Sequence, residues 1–354
     1  MSGPRIAVVG AGGNGASIGA DLTRAGHDVT LVEQWPAHVE VMRADGITVV
    51  CDGESTVTPV RALHLCEVAT LREPFDVVLV VLKAYDTRWG VELIKPLVAA
   101  DGVVVGLQNG MSVDDVLAVM GPERTLGGVI ELGSNMYEPG RVVRDTPRER
   151  SWFAVGADDP VAQAKAPLVA DVLGAAGTVQ VSGDIRADKW MKLILNAAEL
   201  VPSAVIGTSI VAAAGIPQMR ELMLQAGREA IAAAATLGHT VRPIIGMTDV
   251  DPEDPERFLT DIFDLLLTHF ALPSSRATVL QDWDKRRRSE VDQINGLVVD
   301  VLAAAGATAP VNAAMVDLAH RIESGAVTPS VDLLPELAEL AGAGAWSSQA
   351  SGSS

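Results

Sequence analysis

Apolar residues in the first half of this 354-residue chain fall into short unbroken runs, whereas in the second half they recur at helical spacing. Residues 6–9 (IAVV) form a run that leads into Gly10-Ala11-Gly12-Gly13-Asn14-Gly15. A helix-like stretch follows, Gly26 closes it, and a second apolar run ends on Glu33. FDVVLVVLK (75–83) and GVVVGLQNG (102–110) are continuous runs of the kind buried on both faces of a parallel sheet. Helical stretches around 88–99 and 112–119 alternate with them, which predicts βαβ units. Strand-like segments are predicted at 126–132, 141–145 and 152–156, and a helix at 161–174.

The character changes after Ser182-Gly183-Asp184. Alanine- and leucine-rich helical periods cover 186–200, 217–237, 255–270, 285–306 and 310–323. The pattern therefore predicts an α/β dinucleotide-binding domain of the Rossmann type over 1–183 and an all-α C-terminal domain over 184–325. An extension, 326–354, follows. Its Gly/Ala/Ser-rich end, from about residue 342, is predicted to be disordered.

The glycine segment carries the first chemistry. Strand, glycine turn, helix, strand and acid appear in that order, so the segment reads as a dinucleotide fingerprint. Gly10 permits the tight turn, Gly12 lets the backbone approach a pyrophosphate, and Gly15 lets the helix pack close to the strand. Gly13 and Asn14 complete the turn, and the helix N-terminus favours phosphate. Glu33, at the end of the second strand, suits a ribose diol and repels a 2′-phosphate. The nearest downstream arginine is Arg43. NAD(H) is expected over NADP(H).

Composition narrows the remaining classes. With 48% hydrophobic and 20% charged residues the chain is globular. A formal charge of −18 argues against nucleic acid and anionic membrane surfaces as partners. Two cysteines and six scattered histidines offer no metal set. The N-terminus enters a strand at once, which argues against a signal peptide. No charge-free run reaches membrane-spanning length. A cytoplasmic protein with a small-molecule substrate is expected, and the alanine-rich helices suit a homodimer interface or an internal core.

Five patches together resemble the ketopantoate reductase family. They are the glycine fingerprint; Leu82-Lys83-Ala84-Tyr85; Gln108-Asn109-Gly110-Met111; Lys189-Trp190-Met191-Lys192-Leu193 through Asn196; and Leu280-Gln281-Asp282 through Ser289-Glu290 to Asn295-Gly296. Pro310 and Asn312 also fit. The resemblance implies a Rossmann-type domain followed by a helical domain like the C-terminal domain of 6-phosphogluconate dehydrogenase, with a site in a cleft between the two. It implies Lys192 as the general acid in hydride transfer and Asn196, one turn on, as a substrate ligand. Lys83, Gln108 and Asn109 would contact the cofactor, with Asn109 also near the substrate. Glu290 would touch the nicotinamide ribose and the substrate region. Thr278 stands where the family has a substrate-binding serine.

Three departures change the expectation. Leu200 stands where a second asparagine is usual, Ile210 lies near a further polar position, and Glu33 replaces basic character at the second strand. Each lost hydrogen-bond partner is worth about 0.5–1.5 kcal/mol. A 2-oxo or 2-hydroxy acid with a side chain more apolar than that of ketopantoate is therefore expected. The alternatives are a 2-dehydropantoate 2-reductase using NADPH and a relative acting on another carbonyl, imine or β-hydroxy acid. A non-catalytic dinucleotide sensor is a further one. Lys192 and Glu290 favour an enzyme. Glu131 is an isolated carboxylate in an apolar stretch.

Overall fold

The computed structural model describes residues 3–342, and the chain divides into two compact units at Lys189/Trp190. The tail assigned as disordered from about residue 342 lies almost wholly outside the described residues.

The first unit is built on β1 (Arg5–Val9), α1 (Gly13–Arg24), β2 (Asp28–Glu33), α2 (Pro36–Asp45), β3 (Ile47–Cys51), β4 (Glu54–Thr58), β5 (Arg61–His64) and β6 (Phe75–Val80). It continues with α3 (Thr87–Ile94), β7 (Val98–Leu107), α4 (Val113–Met120), β8 (Thr125–Glu131), β9 (Ser134–Glu138), β10 (Arg141–Arg144) and β11 (Trp152–Gly156). Short helices α5 (Pro160–Gln163) and α6 (Ala166–Leu173) and strand β12 (Thr178–Val181) close it. The main sheet runs β12-β11-β8-β7-β6-β1-β2-β5. Its section β5-β2-β1-β6-β7-β8 is parallel, and β11 joins antiparallel to β8. Strand order reverses at β1/β6, where doubly wound sheets bind their ligands. The centres of the apolar runs are buried: Ile6 to Val9 and Val77 to Val80 have no exposed surface, and Val103 to Leu107 almost none.

In a second sheet, β4-β3-β10-β9, the strand read at 141–145 is β10, but β4, exposed along most of its length, and β9, largely polar, were not legible from periodicity. The sheet is tied to the main body through charge. Arg144 on β10 is buried and pairs with Asp21 of α1, while its guanidinium also donates to Thr146 O (2.7 Å), Ser151 Oγ (2.8 Å) and Ala176 O (2.9 Å). The expected helix at 161–174 is split into α5 and α6, with Lys165 between them.

The second unit is helical: α7 (Ile185–Val205), α8 (Ile210–Ala214), α9 (Pro217–Thr236), α10 (Pro255–Leu265), α11 (Thr278–Asp284), α12 (Leu297–Ala304), α13 (Pro310–Glu323) and α14 (Leu334–Leu340). The packing division at Lys189/Trp190 falls inside α7. The first turns of α7 belong to the first unit because Lys189 Nζ donates to Gln108 O and Gly128 O, both at 3.0 Å.

The helix read at 285–306 is corrected. The chain leaves helical geometry at Arg286 (φ 55°), makes one π-helical turn at Asp292–Gly296, and only then enters α12. A partner remote in sequence holds this break: Glu323 Oε1 accepts from Ser289 N (2.8 Å), Ser289 Oγ (2.6 Å) and Trp283 Nε1 (3.1 Å). Lys285 to Arg288 are consequently a turn rather than a helix face. The extension beyond residue 325 is partly ordered, since Leu337 of α14 is fully buried and Arg321 pairs with Glu336.

Candidate active site

The glycine turn has the geometry that its sequence demands. Gly10 sits at φ +95°, and its N–H donates to Val32 O at 2.9 Å, joining the turn to β2. A Cβ on Gly15 would lie 1.9 Å from Gly10 O, so only glycine lets α1 start so close to β1. A Cβ on Gly13 would lie 2.6 Å from Ser134 O, whereas one on Gly12 would meet nothing within 4 Å. The backbone is thus open at Gly12, at the N-terminus of α1, which fits an approaching pyrophosphate. Beside this opening, Asn14 Oδ1, Ser134 Oγ and Asn135 Oδ1 are buried without a hydrogen bond.

Glu33 is buried and aimed back at the turn. Its Oε2 accepts from Ala11 N (2.7 Å), and its Oε1 from Gln34 N (2.8 Å) and Trp35 N (2.9 Å). A carboxylate has about four acceptor positions, so about one is left for a ligand hydroxyl. His38 braces the same turn. Its Nδ1 accepts from Gly140 N (2.8 Å), which leaves Nε2–H to donate to Ala11 O (2.9 Å). Burial pushes its pKa down, against the raising effects of the Ala11 bond and the Glu33 charge. Arg43 is committed elsewhere, to Ala62 O and to Glu67 and Glu40.

Lys83 follows β6 and is half-buried, and Asn109 follows β7 in a turn completed by Gly110 at φ +68°. Gln108 is buried between them. Its Nε2 donates to Leu82 O (2.7 Å) and Thr87 Oγ1 (2.8 Å), with a longer contact to Lys83 O (3.3 Å). The side-chain nitrogen is therefore spent on fixing the Leu82-Lys83 backbone, while Oε1 is buried without a hydrogen bond. Lys189 adds a support that the sequence reading did not assign. Burial lowers its pKa to about 8, opposed by the charge of Asp114.

In the second unit, Lys192, Asn196 and Glu199 stand at i, i+4 and i+7 of α7, which puts them on one face. All three are buried, at 7%, 1% and 3% exposure. Lys192 Nζ lies 3.8 Å from Glu199 Oε1, a partner absent from the sequence reading although its spacing marked it. Asn196 Nδ2 is a buried donor without a hydrogen bond, and so is the Oγ1 of Thr278, the first residue of α11. Leu200 and Ile210 are buried and apolar. Glu290 is buried just ahead of the π-helical turn.

A chain of side chains anchors this stretch of α7. Asn295 Nδ2 donates to Ala197 O (3.2 Å) and Asn312 Oδ1 (2.9 Å). Asn312 Nδ2 donates to Ala226 O (3.1 Å) and Glu229 Oε2 (2.7 Å). The Glu229 carboxylate also accepts from Val311 N (3.0 Å) and Asn312 N (2.9 Å) at the start of α13. Burial raises the Glu229 pKa despite these donors. Glu131 ends β8, buried and opposite Trp152. Among the described residues there is no cluster of histidine, cysteine or acidic side chains able to hold a metal ion. No helix among them is long and apolar enough to cross a membrane.

A glycine turn of this geometry on a doubly wound sheet, followed by a helical unit with a buried lysine, fits the class of nicotinamide-dependent oxidoreductases. The comparisons agree. Residues 6–157 match the family described as "Ketopantoate reductase PanE/ApbA", and 184–323 match its C-terminal counterpart. A 2-dehydropantoate 2-reductase from Archaeoglobus fulgidus is 28% identical over 327 residues, 91% of this chain and 98% of its own. A ketopantoate reductase of the PanE/ApbA family from Ralstonia eutropha superposes with a TM-score of 0.74 at 26% identity, covering 91% of this chain and 99% of that one. A D-mandelate dehydrogenase, solved with NADH and anilino(oxo)acetate, shares the fold at a TM-score of 0.78 and 20% identity, with 91% and 99% coverage. The chain belongs to the ketopantoate reductase family. It is an NAD(P)-dependent oxidoreductase acting on CH–OH groups.

Proposed function

We propose that this protein interconverts a 2-oxo acid and its 2-hydroxy acid with NAD(H), and that the substrate side chain is more apolar than that of ketopantoate. The observation that carries the substrate reading is the buried Leu200 on α7, one turn beyond the unpartnered amide of Asn196. An apolar residue there offers no hydrogen bond to a substrate hydroxyl. A hydroxyl held against it loses its water without replacement, at a cost of about 1–3 kcal/mol.

The roles follow from chemistry. Gly10, Gly12, Gly13, Asn14 and Gly15 hold the pyrophosphate, and Lys83, Gln108 Oε1 and Asn109 line the rest of the cofactor site. When bound, the reduced nicotinamide supplies hydride to the carbonyl carbon. Lys192 donates the proton to the carbonyl oxygen, and its charge stabilises the developing alkoxide. Asn196 Nδ2 and Thr278 Oγ1 bind the substrate, since each is a buried polar atom that a ligand would satisfy. Glu290 contacts the nicotinamide ribose. The NAD(H) preference rests on Glu33, whose charge is buried against the turn and opposes a 2′-phosphate. Arg43, the nearest downstream arginine, is engaged by Ala62 O, Glu67 and Glu40. We infer a cytoplasmic enzyme whose alanine-rich helices suit either a homodimer interface or an internal core, a choice that light scattering decides.

The test is initial-rate turnover of a 2-oxo acid panel, ketopantoate included, with NADH and NADPH in parallel. Highest kcat/KM on an apolar or aromatic acid with NADH is expected. Best activity on ketopantoate with NADPH would overturn both assignments. In the same assay Lys192→Ala should lower kcat by roughly 10²–10⁴ with NADH binding nearly intact.

A further inference from the structure

We infer that Glu199 is a positioning residue that keeps the ammonium of Lys192 charged and fixed on its helix face. The inference rests on the reading of Lys192 as the proton donor and adds the group that lets it serve. Lys192 is the one buried cation among the described residues of the second unit. Burial alone favours a neutral amine, which has no extra proton to give. Glu199 Oε1 is 3.8 Å away, and both side chains are nearly inaccessible, so their attraction is poorly screened. The i, i+7 spacing places the carboxylate two turns along the same face, with Asn196 between.

The other buried carboxylates of this unit are Glu229, Asp282 and Glu290. Glu229, on α9, is engaged by three donors at the start of α13. Asp282 and Glu290 come from α11 and the segment before the π-helical turn. That turn lies against α7 through Asn295, and its own Asp292 pairs with Arg288 and His320. α7 carries two buried carboxylates: Asp188, one turn before Lys192, accepts from Ser182 Oγ at 2.5 Å, and Glu199 is the one within ion-pair distance of the Lys192 ammonium, at a spacing that helix geometry fixes. An isolated buried ion pair is rarely favoured for stability over apolar packing. Here it prepares a proton transfer. As hydride reaches the carbonyl carbon, the C–O π bond breaks and its electrons take a proton from Lys192 Nζ, which becomes a neutral amine. Glu199 keeps its charge and favours the return of a proton from solvent.

The experiment is the pH profile of kcat/KM for reduction in the full-length enzyme, with Glu199→Gln, Glu199→Asp and Lys192→Met measured beside the unaltered protein. Activity is lost on the alkaline side as Lys192 deprotonates. An opposite charge at this distance shifts a pKa by one unit or more, so Glu199→Gln should move that limb down by about one unit or more. The dissociation constant of NADH, read by fluorescence, should stay unchanged. Glu199→Asp keeps the charge on a shorter stem and should fall between; it also serves if the glutamine variant folds poorly. An alkaline limb that stays put in variants that bind NADH normally, while Lys192→Met is inactive, overturns the role of Glu199 alone. Substantial activity in Lys192→Met overturns the reading of Lys192 and this inference with it.

Discussion

On the proposed mechanism, two lysines one helical turn apart have different tasks, and the difference comes from their partners. Lys189 is held by two backbone carbonyls, and burial brings it down to about 8. In the unfolded chain it titrates near the ordinary 10.5, so the unfolded state binds more protons between those values. Stability should therefore rise as pH climbs from about 8 towards 10.5, and the gain should disappear as pH falls through 8. Urea denaturation of wild type and Lys189→Met at pH 7 and pH 9.5 checks this. The gap between the two curves should change with pH, and a constant gap would contradict the assignment. The role of Lys189 was not legible, because its partners Gln108 and Gly128 are far away in sequence. Glu199, by contrast, stood at a readable spacing from Lys192, but an acid in an alanine-rich helix looks solvated until its burial is known.

Among the elements, those set by local rules were legible. The turn from β1 to α1 was readable because each glycine answers to a constraint within a few residues. Gly15→Ala should lose dinucleotide binding and destabilise the fold by about 1–3 kcal/mol or more, since a methyl group would meet Gly10 O. Thermal unfolding with and without NADH measures both effects, and an unaltered NADH-induced shift would refute the first. Elements defined by distant contacts were not legible. The break before α12 is held by Glu323, and the second sheet is tied to α1 by Arg144 meeting Asp21 across the fold. Removing one partner of such a buried pair strands the other, so Arg144→Met should cost about 3–5 kcal/mol. Denaturant midpoints read that value, and a loss below 1 kcal/mol would show the pair to be dispensable.

For the molecule as a whole, charge sets how reactants arrive. The protein carries −18, and both a 2-oxo acid and a dinucleotide are anions. Long-range repulsion slows their encounter at low salt and is screened within about 10 Å at 0.1 M. On the proposed reaction, kcat/KM should rise between 10 and 150 mM sodium chloride. A steep fall would instead mean that positive potential near the site outweighs the net charge. The broad plan, an α/β half followed by a helical half, was readable because hydrophobic period changes from unbroken runs to helical spacing at one place. The asparagine and glutamate chain that anchors α7 was not, since Asn295, Asn312 and Glu229 are joined only by folding.

The three N–H groups gathered by Glu33 have a consequence for anyone redesigning the enzyme. On the proposed NAD(H) preference, exchanging this acid for arginine to recruit NADPH would supply a cation and, in the same stroke, orphan three donors beside the glycine turn. Cofactor reversal here is a two-part problem: a new anion receptor has to be built, and the loop it rests on has to be given another keystone.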